Sequence, residues 1–334
     1  MRIAPIRRRA ALRAIGRITT GLAIGSALMS GASAQVGDYP NKPVRLVVAY
    51  PPGGPLDTMA RMLGEQLGNA LGKPVVVDNR PGAGGIIGSD LVAKAPADGY
   101  TLLFGSTPLS IQETLTPKLP YSAARDFTPI AKMAVGSQML VVGNSVPARS
   151  VRELIDHARS LDGRMNYASP SAGGSNHLAA EMFKLMGGFK ATHVPYKGGA
   201  PAEIDVIDGQ VSFMFGAVSS SMRQVEAGRL RALAVTSKER MPSAPNVPTL
   251  AETLPGFEVV SWYGVLGPAG MPPGVVSRLN AEINRIVVQP DMKKRLLALD
   301  LEPTPGTPVQ FGDYLKQNIG MWARVIKDAG VTAE

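Results

Sequence analysis

The sequence predicts an α/β protein built as two similar lobes around a crevice, and three features carry that expectation. Short valine-rich strands alternate with amphipathic helices; the loops after several strands are rich in glycine or hydroxyl residues; and the alternation runs twice, before and after a β-like stretch at 127–142 that holds two runs. Residues 44–50 form a short apolar run that ends in Pro51-Pro52-Gly53-Gly54-Pro55. After this turn Met59, Met62, Leu63, Leu67 and Leu71 recur at helical spacing as far as Gly72. The pattern repeats with a strand at 74–78, a glycine loop at 80–85, a helix at 86–94 and a strand at 100–104. Such alternation predicts a parallel sheet with helices on both faces.

In the second series Ser150-Val151-Arg152-Glu153 has capping-box spacing and opens a helix that runs through Ser160. A strand at 165–168, a Ser/Gly loop at 169–175 and a helix at 177–186 follow. Strands at 192–196, 211–215 and 230–236 then alternate with helices that open at Pro201 and Ser220. From Pro268 onward the chain reads as helical, at 275–288, 292–299 and 309–329, and these closing helices are expected to return to the first lobe. Lobe 1 is therefore expected to hold 35–138 and 260–334, and lobe 2 to hold 139–259.

Composition narrows the chemistry. The 334 residues are 45% hydrophobic and 18% charged, enough apolar material for a large core in two domains. With no cysteine there is no disulfide framework, no Cys-ligated zinc, no iron–sulfur cluster, no thiol nucleophile and no lipid-modified N-terminal cysteine.

Residues 1–34 read as a secretory leader. Arg2, Arg7, Arg8, Arg9, Arg13 and Arg17 give a basic start, 18–30 is apolar or small, and Ala32-Ser33-Ala34 offers a cleavage site before Gln35. An uncleaved anchor and a twin-arginine signal remain open as alternatives. Without these six arginines the mature chain carries 29 basic against 26 acidic residues, so the basic balance belongs mostly to the leader. No basic stripe with interleaved aromatics is left for nucleic acid. The mature protein is expected to be soluble, outside the cytoplasm and monomeric.

Four loops are candidates for ligand contact: 50–57, 82–88, 105–107 and 169–175. Open α/β sheets bind ligands at the carboxyl ends of their strands, and free N–H groups at helix starts favour anions. The same glycines also serve as plain turns. In 82–88 the third glycine falls one place beyond the dinucleotide spacing, and no Gly-Lys-Ser/Thr phosphate loop occurs. There is no Gly-x-Ser-x-Gly elbow and no His-Glu-x-x-His; His157, His177 and His193 are the only imidazoles. His177 and Glu181 stand at i, i+4 but lack an evident third metal ligand, which favours a packed or surface histidine. Asp57 fits either a helix cap or a ligand contact, and the cap is favoured. Lys197 fits a solvated loop lysine, while Trp262 and Tyr263 fit either a crevice wall or a core strand.

Taken together, these stretches resemble the Bug-type solute receptors, the extracytoplasmic binding proteins of the tripartite tricarboxylate transporter family. The resemblance rests on Tyr39-Pro40, Pro43-Val44-Arg45-Leu46-Val47-Val48, Pro52-Gly53-Gly54 with Asp57 and Ala60-Arg61, and Asn79-Arg80-Pro81-Gly82-Ala83-Gly84-Gly85. It continues through Asp98-Gly99-Tyr100-Thr101-Leu102, His177-Leu178, His193-Val194-Pro195-Tyr196-Lys197-Gly198, the segment 230–236 and Val247-Pro248-Thr249. This resemblance implies a two-lobed periplasmic-binding-protein fold of type II that closes on a small carboxylate, held by loop main chain, hydroxyls and bound waters. Matching positions place Tyr50, Gly53, Gly54, Asp57, Gly84, Gly85, Ser106, Thr107, Ser169, Gly173 and Ser175 nearest the solute. Leu56, Ser171 and Gly216 depart from the usual pattern. Leu56 leans toward an apolar carboxylate, and Gly216 removes an acid that would suit an amino-acid ligand. The implied function is reversible capture of an organic acid, without cofactor or metal, for a membrane transporter or a sensor. An exported hydrolase or lyase on the same scaffold is the alternative.

Overall fold

The computed structural model describes residues 39–332 together with Met1. The expected leader and its cleavage after Ala34 lie outside the described residues. Strands β1 (Val44–Val48), β2 (Val75–Asn79) and β3 (Thr101–Ser106) pair in parallel in the order β2-β1-β3, with α1 (Pro55–Leu71) and α2 (Ile86–Ala93) as crossovers. α1 ends at Gly72, whose φ of 69° supplies the left-handed stop the sequence places there.

The expected all-parallel sheet gives way to a mixed one, because two strands carry the chain between the halves. β4 (Phe127–Gly143) is a single strand of 17 residues rather than two runs, about 55 Å of extended chain. Its first part pairs with β9 (Val260–Pro268), as far as Ser137 opposite Val260. From Gln138 it pairs instead with β7 (Phe213–Ala217), and from Met139 with β8 (Leu230–Val235). β9 inserts antiparallel between β3 and β4. The second sheet joins β5 (Asn166–Ser169), β6 (Thr192–Pro195) and β7 in parallel, and β4 enters it antiparallel. The chain leaves the first half along β4 and returns along β9; β4 runs against its neighbours in both sheets and β9 against both of its neighbours in the first. A short strand the sequence reading did not contain, β10 (Leu301–Pro303), pairs antiparallel with β4.

The central strands bury both faces, and strand alternation distributes their residues. In β1 and β3, Leu46, Leu102 and Phe104 face a core made with Met59, Leu63 and Leu67 of α1 and with α8 (Pro273–Val287) and α9 (Pro290–Leu297), while Val47 and Leu103 face the opposite core around Trp262 and Phe311. In the far part of β4, Leu140 and Val142 meet the core under α4 (Val151–Ser160) and α5 (Ser175–Gly187). Met139 and Val141 meet the one under α6 (Gly199–Ile207) and α7 (Val218–Glu226). The last helix, α10 (Pro308–Ala329), serves both halves: Phe311 and Leu315 pack beside Trp262, and Trp322, Val325 and Ile326 pack into the core with Phe183, Phe213 and Phe215. The helix α3 (Pro108–Leu115), to which the sequence pattern assigns no element, follows β3 directly and buries Leu109 and Ile111.

Candidate functional site

A cavity of about 590 Å³ opens where the strand ends of the two halves meet, within the size range of small-molecule sites. Its wall is built from the segments 50–52, 54–57, 106–108 and 175–176, with Ser261 and Tyr263 of β9. Strand alternation sorts the two adjacent aromatics. Tyr263 faces the cavity, whereas Trp262 is fully buried behind it with its indole N–H shared between Ser110 and Asn318.

Three helices begin at this wall. The N-cap residues of α1, α3 and α5 are Gly54, Thr107 and Gly174, and none of them caps its helix with a side chain. The first i→i−4 bonds run from Thr58 to Gly54 in α1 and from Leu178 to Gly174 in α5. The backbone N–H groups of Leu56, Asp57, Ser175, Asn176 and His177 therefore have no intrahelical partner. Pro55 and Pro108 stand at first helical positions, where no N–H is needed. Among the described residues no Lys, Arg or His lines the cavity, while Tyr50, Ser106, Thr107, Ser175 and Ser261 supply hydroxyls. Such a wall attracts an anion by helix dipoles and neutral donors. Burial pushes the Tyr50 phenol up to about 12, so it stays protonated and brings no charge to the wall.

Asp57 lines the cavity, yet both of its oxygens are engaged. Oδ2 accepts from Gly53 N–H at 2.9 Å and Arg61 Nε at 3.0 Å, and Oδ1 accepts from Asn79 Nδ2 at 3.0 Å with Arg61 Nη2 at 2.9 Å. The carboxylate reaches back from the third helical position and ties the Pro-Gly loop to α1 and β2. The carboxylate accepts from Gly53, which precedes the N-cap Gly54, and from no first-turn N–H, so it holds the loop where the sequence favours a helix cap. Hydrogen bonds from Arg61 hold its pKa down at about 2 against the opposing effect of burial, with Gly53 and Asn79 adding to the lowering. Asn79, absent from the expected site set, also donates to Tyr50 O at 3.1 Å.

The chain matches the family model described as "Tripartite tricarboxylate transporter family receptor" over residues 59–331. It belongs to that receptor family. Among solved structures it is similar to R. palustris Rpa4515 with adipate, at 36% identity and a TM-score of 0.73, covering 88% of this chain and 99% of that one. It is also similar to the periplasmic binding protein BugD, at 32% identity and a TM-score of 0.70 over 89% and 100% of the two chains. MatC from Rhodopseudomonas palustris with bound malate is similar at 30% identity, with a TM-score of 0.69 over 86% and 100%. The fold is thus that of the Bug-type periplasmic binding proteins.

Of the residues expected near the solute, Tyr50, Gly54, Asp57, Ser106, Thr107 and Ser175 line the receptor's cavity, whereas Gly53, Gly84, Gly85, Ser169 and Gly173 are not part of its wall. Gly84 and Gly85 back Tyr50: its hydroxyl donates to Gly84 O at 3.0 Å, and a Cβ on Gly85 would lie 3.1 Å from that hydroxyl. Gln112 donates to the same carbonyl at 2.7 Å. Thr107 turns its hydroxyl to the β9 backbone, accepting from Trp262 N–H at 2.9 Å. The sequence reading missed Asn176, Ser261 and the prolines as lining residues; the β9 alternation that exposes Tyr263 was the available signal for Ser261. Gly216 has a physical account as well, since a Cβ there would lie 2.2 Å from Ser221 Oγ, which donates to the buried Glu203. Lys197 is exposed and away from the cavity.

Behind the 169–175 loop lies a buried polar cluster in the receptor. Gly173 N–H donates to His177 Nδ1 at 3.0 Å, leaving Nε2 toward Glu181, which accepts from Lys184 at 2.7 Å and from Tyr167. Burial pushes the Glu181 carboxyl up, but its bonds to His177, Lys184 and Tyr167 outweigh this and bring it to about 2. His193 stacks on His177 with ring centres 3.7 Å apart, and its Nε2 is 2.7 Å from Ser169 Oγ. Ser169 is fully buried and outside the cavity, so this contact braces the loop and presents no nucleophile. Burial, His177 and Lys184 push the His193 pKa down to about 4 despite Glu181. A histidine charged more readily when unfolded, near its ordinary value of about 6.5, destabilises the fold as pH falls. Unfolding free energy should therefore drop between about pH 6.5 and 4, and His193→Gln should flatten that slope. Urea denaturation of both proteins across this range checks it; identical slopes would remove His193 as the cause.

Proposed function

We propose that the cavity captures one small carboxylate reversibly and without chemistry, for delivery to tripartite tricarboxylate transporter membrane subunits or to a sensor. The observation that carries this reading is the meeting of three uncapped helix N-termini at a wall of hydroxyls with no cationic side chain among the described residues. Adipate and malate in the similar receptors supply the ligand class. The apolar part of the wall, Leu56 with Pro51, Pro52, Pro55 and Pro108, suits the methylene chain of an acid such as adipate better than the hydroxylated carbon of malate. The switch of β4 between sheets at Ser137 and Gln138 supports lobes of 35–138 with 260–334 and of 139–259, closing over the solute. Gly53, Gly84, Gly85, Ser169 and Gly173 act in this reading by holding the loops that touch it. Export by the leader, with a mature chain from Gln35, places a monomeric receptor in the periplasm. A thermal-shift screen over mono- and dicarboxylates tests the reading: a ligand at about 100 times its Kd adds ~2.7 kcal/mol to the unfolding free energy. The expected result is a raised Tm with at least one C4–C8 acid and none with the neutral amides; a flat screen would contradict it.

A further inference from the structure

Gln138 is 4% exposed and stands where β4 leaves one sheet for the other. It shares a strand face with Gly136 and Ala134, whose partners across the ladder are Ser261 and Tyr263 of the cavity wall. Its backbone is fixed to the second half, with its N–H donating to Thr236 Oγ1 at 2.8 Å and its carbonyl accepting from Thr236 N–H at 2.9 Å. Its side-chain Nε2 donates to the Ser175 hydroxyl at 3.2 Å, and Oε1 has no hydrogen-bond partner among the described residues.

Two consequences follow from these contacts. Because Ser175 Oγ already accepts a proton from the amide, its own proton is free to point away, into the cavity it lines. And because a buried carbonyl without a partner lowers stability, an apolar side chain of similar shape at 138 would suit the fold as well or better. The amide is thus poorly explained by stability and well explained by the hydroxyl it orients.

We propose that Gln138 is a positioning residue of the binding site: it sets the Ser175 hydroxyl as a donor toward the bound acid and ties that donor to the strand joining the two halves. This rests on the carboxylate-receptor reading above. Gln138→Met should leave the midpoint of urea unfolding unchanged or higher and weaken adipate binding about tenfold in calorimetry. In a Ser175→Ala background the same substitution should have no further effect on affinity. Gln138→Glu discriminates further. An ionised carboxylate would take the Ser175 proton for itself and repel the ligand, whereas the protonated acid donates as the amide does, so affinity should be lost at pH 7 and partly regained near pH 4 while wild type shows no such recovery.

Malate serves as the second probe. Wild type binding neither acid overturns the receptor reading and the proposal with it. Wild-type binding with unchanged affinity in Gln138→Met, or equal losses in the Ser175 and Ser175→Ala backgrounds, overturns the proposal alone.

Discussion

Gly54→Val is expected to abolish carboxylate capture and leave the fold intact. Gly54 has φ −81° and ψ 170°, extended backbone that any residue adopts, and a Cβ built there meets only Pro51 O at 3.8 Å. A valine side chain there adds bulk to the cavity wall that Gly54 lines, next to the free N–H groups of Leu56 and Asp57. Losing that anion contact together with the space for the carboxylate should weaken binding by at least about 100-fold, or ~2.7 kcal/mol. Unfolding free energy should fall by no more than about 1 kcal/mol, the cost of a poorer N-cap residue at α1. Gly53→Val is the contrast. Its φ of +84° lies in the left-handed region, so a side chain there strains the turn by about 1–2 kcal/mol although nothing stands within 4 Å. Calorimetry and urea denaturation on the two variants separate the effects. Wild-type affinity in Gly54→Val would make this loop a turn and nothing more.

Asp57→Ala is expected to lower stability by about 2 kcal/mol and affinity by more than that alone explains. It removes the acceptor for Gly53 N–H and Asn79 Nδ2, both partly buried, and frees Arg61, which is 53% exposed and resolvates. Asp57→Asn keeps one oxygen and should lose less. The pH dependence carries its own sign. With a folded pKa near 2 and an ordinary value of about 3.9, the carboxylate stabilises the fold above pH 4 and that contribution disappears as pH falls toward 2. The alanine variant should lack this acid-side loss. Reduced stability with unchanged affinity would leave Asp57 as a helix brace without influence on the ligand loop.

Much of this arrangement is legible in the sequence because local chemistry dictates it. The run at 44–50, the Pro-Gly turn and the 59–71 periodicity specify strand, loop and helix without help from the rest of the chain, and α1 begins at Pro55 as its ring predicts. The Ser150 to Glu153 spacing likewise yields a capped helix, with Ser150 Oγ accepting from Glu153 N–H. What local pattern does not carry is direction. Nothing in the residues of β4 or β9 says that each runs against its neighbours; that follows from their role as crossings between halves, a property of the whole chain. The site divides the same way. Tyr50, Gly54, Ser106 and Ser175 follow from loops at strand ends, whereas Asn79 and Gln138 act through partners 22 and 37 positions away in sequence. Ser169 and Gly173 are placed near the solute by the family resemblance; in the fold Ser169 Oγ stands beside His193 Nε2 and Gly173 N–H donates to His177, contacts that no local pattern announces.

The central claim is that the cavity recognises the charge of a carboxylate with neutral donors and does not transform it. Calorimetric titration of the mature protein with adipate and, in parallel, with adipamide tests this directly, followed by recovery of the bound solute. The expected result is saturable one-to-one binding of the acid, no measurable binding of the diamide, and adipate returned unchanged. Equal binding of the two compounds, or recovery of a chemically altered acid, would contradict the account.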